Sequence, residues 1–191
     1  MKQENDSMNR AEFKFISMKK YILALALLLI YFSPKAQTMN STDNNAAIQA
    51  IEDRIALKNL VDTFSVLADQ KETQKQTLLF TENAVSEIFV NGQVVSSLKG
   101  RKQIGETFAA FLNTFETVYH INGQQTVTLN GDKATGISYC FVTLIGTENG
   151  KRLKTTIGAY YTDDFVRQNG EWLIAHRKAT FAWQEKQPLA Q

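Results

Sequence analysis

The stretch from Val118 to Trp183, VYHINGQQTVTLNGDKATGISYCFVTLIGTENGKRLKTTIGAYYTDDFVRQNGEWLIAHRKATFAW, decides the fold. It reads as one antiparallel meander folded back at Asn-Gly dipeptides. Five of the chain's ten glycines follow an asparagine: Gly92, Gly123, Gly131, Gly150 and Gly170. Asn-Gly tolerates the positive φ that both central positions of a type I′ turn require, and that turn's twist matches the strands it joins. Between the dipeptides lie runs rich in β-branched and aromatic residues: Thr126 to Leu129, Ile137 to Ile145, Thr155 to Val166 and Trp172 to Trp183. Such runs, bounded by turn signals, are strands. Gly136, Gly146 and Gly158 fall inside them, where glycine marks a bulge or a sharp curve. A turn at Asn122-Gly123 would leave Val118 to Ile121 as a stub. A bulge within one strand fits better, and it would shift side-chain parity so that His120 shares the inner face with Val127 and Leu129.

Working outward toward the N-terminus, Val85 to Val90 and Val94 to Leu98 flank Asn91-Gly92 and predict a hairpin, with Gly100 ending its second strand. Arg101 to Glu116 carries Ile104, Phe108, Phe111, Leu112 and Phe115 at helical spacing. A short helix is expected over Glu72 to Phe80, with Leu78, Leu79 and Phe80 as its buried end. Ala46 to Ala68 predicts a long helix. Leu57, Leu60, Val61, Phe64 and Leu67 lie on one of its faces, and Ile48, Ile51 and Ile55 on an adjoining one. No proline interrupts the chain between Lys35 and Gln187, so nothing blocks a sheet ladder. The expected fold class is α+β: three helices packed on a curved, mostly antiparallel six-strand sheet, with a small-molecule cavity at its open end.

The first 36 residues read differently. Lys19-Lys20 precedes Tyr21 to Phe32, an apolar run of twelve residues, whereas a membrane-spanning helix needs about 20. With Ser33-Pro34-Lys35-Ala36 following, residues 1–36 read as a secretory signal peptide, with Met18 as an alternative start. Residues 37–45 are then a polar linker, 46–186 one domain and 187–191 a tail. The leader takes six of the 21 basic and three of the 19 acidic residues, so the chain from Gln37 carries 15 basic and 16 acidic groups. The apparent net charge of +2 belongs to the leader, and no basic block remains to grip nucleic acid. The expectation is an exported protein, periplasmic or secreted, without membrane attachment after cleavage. The single cysteine, Cys140, sits between Tyr139 and Phe141 and reads as a small buried hydrophobe. Two histidines and scattered carboxylates give no metal-ligand spacing, so no metal site is expected.

Four polar residues stand among apolar ones. Asp69 ends the first helix, Asp62 lies two turns earlier, His120 opens the first meander strand, and His176 sits mid-strand beside Arg177. An Asp and a His converging in an apolar pocket are equipped for acid–base work, because histidine exchanges a proton near neutrality.

The order Leu67-Ala68-Asp69, Leu79-Phe80-Thr81, Gly100-Arg101-Lys102-Gln103-Ile104, His120, Leu129-Asn130-Gly131-Asp132, Gly158-Ala159-Tyr160-Tyr161 and Gly170-Glu171-Trp172-Leu173-Ile174 resembles the SnoaL-like branch of the nuclear transport factor 2-like superfamily. The resemblance spans Ala46 to about Trp183. It implies a cone-shaped α+β barrel with an apolar pocket, often dimeric through the sheet and needing no cofactor. It also implies an acid–base pair at Asp69 and His120, with Phe64, Tyr119, Tyr139, Tyr160, Trp172 and His176 as pocket-lining candidates. Phe64 stands where the dehydratase-like members carry a tyrosine. Tyr119, Tyr139, Tyr160 or Tyr161 are then the residues able to supply a phenol. Two functional expectations follow. One is a cofactor-independent isomerase, dehydratase or cyclase acting on a small apolar or ring-containing molecule. The other is a non-catalytic ligand-binding or dimerisation module of the same fold.

Overall fold

The computed structural model describes residues 41–189, within which the sheet and its helices belong to a unit from Asn45 onward. The expected signal peptide lies outside the described residues. Helix α1 runs Ser41–Asp69, α2 Thr73–Thr77 and α3 Arg101–Leu112. The strands are β1 Phe80–Val90, β2 Gln93–Lys99, β3 Thr117–Asn130, β4 Lys133–Glu148, β5 Lys151–Gln168 and β6 Glu171–Pro188. Helix α1 therefore starts inside the expected linker, and β6 runs into the expected tail. Helix α2 is shorter than its periodicity suggests. Phe80 opens β1 instead of closing a helix, and Leu78 is exposed. Helix α3 stops four residues before Glu116.

The strands form one open six-stranded sheet in the order β2-β1-β6-β5-β4-β3. All neighbours are antiparallel except β1 and β6, which run parallel. Three hairpins close on type I′ chemistry, with positive φ at both residues of Asn91-Gly92, Asn149-Gly150 and Asn169-Gly170. The β3–β4 hairpin differs. There Gly131 alone has positive φ and Asp132 follows it, the pattern of a II′ turn.

The Asn122-Gly123 dipeptide is indeed a bulge. Asn122 pairs with Cys140 and Gln125 with Ser138, so β3 carries one residue more than β4 across this step. The parity shift turns His120, Asn122, Gln125, Val127 and Leu129 toward α1, and the intervening residues are exposed. The bulge is fastened to the helix. Asn122 Nδ2 donates to Val61 O at 3.2 Å and Gln125 Nε2 to Leu57 O at 3.3 Å.

The core lies between α1, α3 and the inner sheet face. Leu57, Val61, Phe64, Phe80, Ile104, Ile157, Phe165 and Ile174 are all buried there. Ile48, Ile51 and Ile55, on the adjoining face of α1, are more than half exposed. Of the three strand glycines only Gly158 sits at a register shift, opposite the Phe181 to Trp183 step. Gly136 and Gly146 instead allow close approach by Phe165 and Phe115.

Candidate functional site

Helix α1 ends in a Schellman motif. Glu72 N donates to Leu67 O at 2.9 Å and Lys71 N to Ala68 O at 3.0 Å, with Lys71 at φ 57°. This places Asp69 in the last helical turn, facing the start of β3. Lys71 Nζ donates to Phe115 O at 2.6 Å and ties the same corner to the segment entering β3.

Across that corner the Asp69 carboxylate takes two bonds from one residue. Its Oδ2 accepts from the His120 backbone N–H at 3.1 Å, and its Oδ1 lies 2.5 Å from His120 Nδ1. A proton on Nδ1 facing the carboxylate leaves Nε2 as the free imidazole nitrogen. The His120 side chain is 8% exposed and lines a cavity of about 380 Å³.

That cavity is bounded by α1, α2, α3, β1, β2 and the inner face of β3, β4, β5 and β6. Its walls are mainly apolar: Phe64, Ile88, Phe108, Val142, Leu144 and Phe181 among them. Exposed Val95 and Phe111 lie at its rim. Phe64 packs edge-on against Phe80, Phe108 and Tyr161.

One charged side chain lies deep within it. Arg177, 1% exposed, donates Nε to Asp163 Oδ1 at 2.8 Å and Nη2 to Asp163 Oδ2 at 2.7 Å. Its guanidinium carbon lies 4.2 Å from the centroids of both the Phe64 and the Tyr161 ring. Burial works against its charge, but the Asp163 carboxylate more than offsets this and raises its pKa. The third nitrogen, Nη1, has no hydrogen-bond partner among the described residues. Burial also pushes the Tyr161 phenol well up and the adjacent Cys140 thiol up to about 11, so both stay protonated at neutral pH.

Of the residues anticipated from sequence, Phe64 and His120 line the cavity, and Asp69 supports His120 from behind. The others are elsewhere. Strand alternation sets Tyr119 and Tyr139 on the outer sheet face, both more than half exposed, and Tyr160 stacks beside Tyr139 with centroids 5.9 Å apart. His176 is displaced by the register shift between Asp164 and Phe165. It lies outside, with Nε2 2.9 Å from Glu87 and Nδ1 3.5 Å from Asp164. Trp172 is buried against Asp53 and Arg167 in a separate groove. Asp62 pairs with Lys58 on the helix surface. Tyr161, not its neighbours, is the phenol in the cavity wall. Among the described residues no group of three His, Cys, Asp or Glu side chains is arranged to hold a metal ion.

An open curved sheet wrapped on helices, with a polar pair at the helix end and a cavity beneath it, is the cone-shaped α+β architecture of the nuclear transport factor 2-like proteins. The chain belongs to the SnoaL-like domain family, matched over residues 49–178. An uncharacterised protein of Mycobacterium tuberculosis is 25% identical over 140 residues, covering 73% of this chain and 92% of that protein. Two solved structures share the fold. A hexachlorocyclohexane dehydrochlorinase is 17% identical with a TM-score of 0.63, covering 75% of this chain and 93% of its own. A candidate scytalone dehydratase from Novosphingobium aromaticivorans is 16% identical with a TM-score of 0.64, covering 73% and 90%.

Proposed function

We propose that this protein is a cofactor-independent lyase or isomerase acting on a small, largely apolar molecule. The observation that carries the reading is the set of groups converging on one apolar cavity: His120 oriented by Asp69, and the free Nη1 of Arg177. His120 Nε2 takes a proton from a substrate carbon as general base. Asp69 holds the ring in its productive tautomer and offsets the imidazolium charge that forms. The electron pair left on carbon forms a double bond and is drawn toward an electronegative group. In an elimination that group departs with its own pair; in an isomerisation it is a carbonyl that becomes an enolate. Arg177 Nη1–H donates to whichever atom gains negative charge, in surroundings where such a bond is stronger than in water. The names of the two structural neighbours, a dehydrochlorinase and a candidate dehydratase, both describe eliminations and support this chemistry by analogy.

The test starts from native mass spectrometry of the Gln37–Gln191 chain purified from its own host, which identifies a retained molecule. Turnover of that molecule is then followed for wild type, Asp69→Asn and His120→Ala. Each variant is expected to lose about 10²–10⁴-fold in rate while keeping its melting temperature within a few degrees. Wild-type rates in both variants would falsify the mechanism.

The same proposal includes export, supported by the Lys19-Lys20 and Tyr21 to Phe32 leader pattern. An intact mass from the periplasmic or culture fraction checks it; a chain retaining residues 1–36 there counts against cleavage. A second reading, a non-catalytic dimerisation module of the same fold, is supported by the aromatic outer sheet face.

A further inference from the structure

Helix α2 is polar throughout, yet one of its side chains is buried in the core: Gln76, 1% exposed. Its Nε2 donates to Phe64 O at 3.0 Å. A backbone carbonyl can only accept, so this bond fixes which end of the amide is nitrogen and which is oxygen. The oxygen, Oε1, is left without a partner among the described residues, and Gln76 lines the same cavity as His120 and Arg177. The cavity therefore carries two unmet polar atoms of opposite kind: a donor on Arg177 and an acceptor on Gln76. An acceptor buried without a partner is destabilising, and a ligand N–H or O–H removes that penalty.

Resting on the reading of this cavity as the binding site, we infer that Gln76 is a specificity-determining residue whose Oε1 accepts a hydrogen bond from the ligand. The pocket then selects an apolar ring compound bearing a hydroxyl or N–H group. A hydrocarbon or halocarbon, which has no such donor, leaves Oε1 unmet.

Indole and benzofuran form the probe pair. They are close isosteres, and the indole N–H donates but offers Arg177 no oxygen or nitrogen acceptor. Titration calorimetry on the Gln37–Gln191 chain is expected to show indole binding about tenfold tighter than benzofuran. In Gln76→Leu the ratio should fall to about one. That variant also loses the bond to Phe64 O, but both probes feel this equally. If Gln76→Leu does not fold, a crystal structure of the wild-type protein with indole decides: the indole nitrogen should lie within hydrogen-bond distance of Gln76 Oε1.

Equal affinities in the wild type, a preference for benzofuran, binding of neither ring, or an unchanged ratio in Gln76→Leu overturns the inference. The ratio does not depend on turnover. A tenfold ratio in a protein without catalysis leaves the role of Gln76 standing while the catalytic reading falls. Turnover dependent on His120 without the ratio does the reverse.

Discussion

Arg177 shows how one residue joins stability to chemistry. A fully buried guanidinium is tolerable because Asp163 answers it bidentately and two aromatic rings pack against it. Removing only the cation strands Asp163, which is itself buried. Arg177→Met is therefore expected to cost about 3–5 kcal/mol in urea unfolding, whereas Arg177→Met combined with Asp163→Leu should recover most of that loss. A single variant as stable as wild type would mean the pair is not the anchor drawn here. Asp69 shows the opposite balance. A carboxylate in the last turn of a helix faces the negative end of the dipole, where it is disfavoured by a few tenths of a kcal/mol or more. What holds it there is His120, which donates to it from both backbone and ring. A residue placed against its local preference to orient a histidine is expected at a working site rather than a merely structural one.

At the scale of elements, the long helix α1 is fastened to the far end of the sheet by Asp53. Its Oδ1 accepts from Trp172 Nε1 at 3.2 Å, from Gln49 Nε2 at 3.1 Å and from Arg167 Nη2 at 2.6 Å. Burial pushes the Asp53 carboxyl up, but these hydrogen bonds more than offset it and hold it below its ordinary value of 3.8. A depressed carboxyl contributes stability that is present above 3.8 and is lost as pH falls through the lower, folded value. Asp53→Asn should thus cost about 1–2 kcal/mol at pH 7, with the gap from wild type narrowing as pH falls below 3.8 and closing only below the folded carboxyl's value. Denaturant unfolding followed from pH 7 downward checks this, and a gap that does not narrow as pH falls below 3.8 counts against it. The elements themselves were legible because turns are local chemistry: Asn-Gly dipeptides mark three hairpins, and Asn122-Gly123 marks the bulge that turns His120 inward. Side-chain facing was less legible. Plain alternation sets Tyr139 and Tyr160 outside, and the register shift in β6, whose position depends on the partner strand, turns His176 outward. Trp172 is inward but at the wrong end. Asp163 left a usable signal, being a charged residue in step with Tyr161 and Phe165 on an apolar alternation. Arg177 is in step with Ala179 and Phe181 but out of step with Ile174, because the register shift lies between them. Gln76 left none, since nothing in Thr-Gln-Lys-Gln-Thr separates the buried glutamine from the exposed one.

At the scale of the whole molecule, the sheet has two faces with different tasks. The inner face and the helices enclose the cavity. The outer face carries Tyr119, Ile121, Tyr139, Phe141 and Trp183, each 40% or more exposed, drawn from the neighbouring strands β3 and β4 and from β6. Phe141 and Trp183 pack at a tilt with centroids 6.0 Å apart, and Trp183 lies over Gly158, where any Cβ would meet its ring. Scattered apolar residues need no explanation, but a contiguous aromatic patch on an uncovered sheet face marks an interaction surface. Such a face suits a second copy of the chain, since tyrosine, tryptophan and phenylalanine are enriched where interfaces are buried. The expected outcome is a homodimer for the Gln37–Gln191 chain in light scattering, and a monomer for Tyr139→Glu combined with Phe141→Glu. Both substituted residues point away from the cavity, so the monomeric variant should keep the indole preference of the wild type. A wild-type monomer, or a double variant that stays dimeric, would place the partner of this face elsewhere. Loss of ligand binding on dissociation would instead mean that the sheet needs its partner to hold the curvature that shapes the cavity.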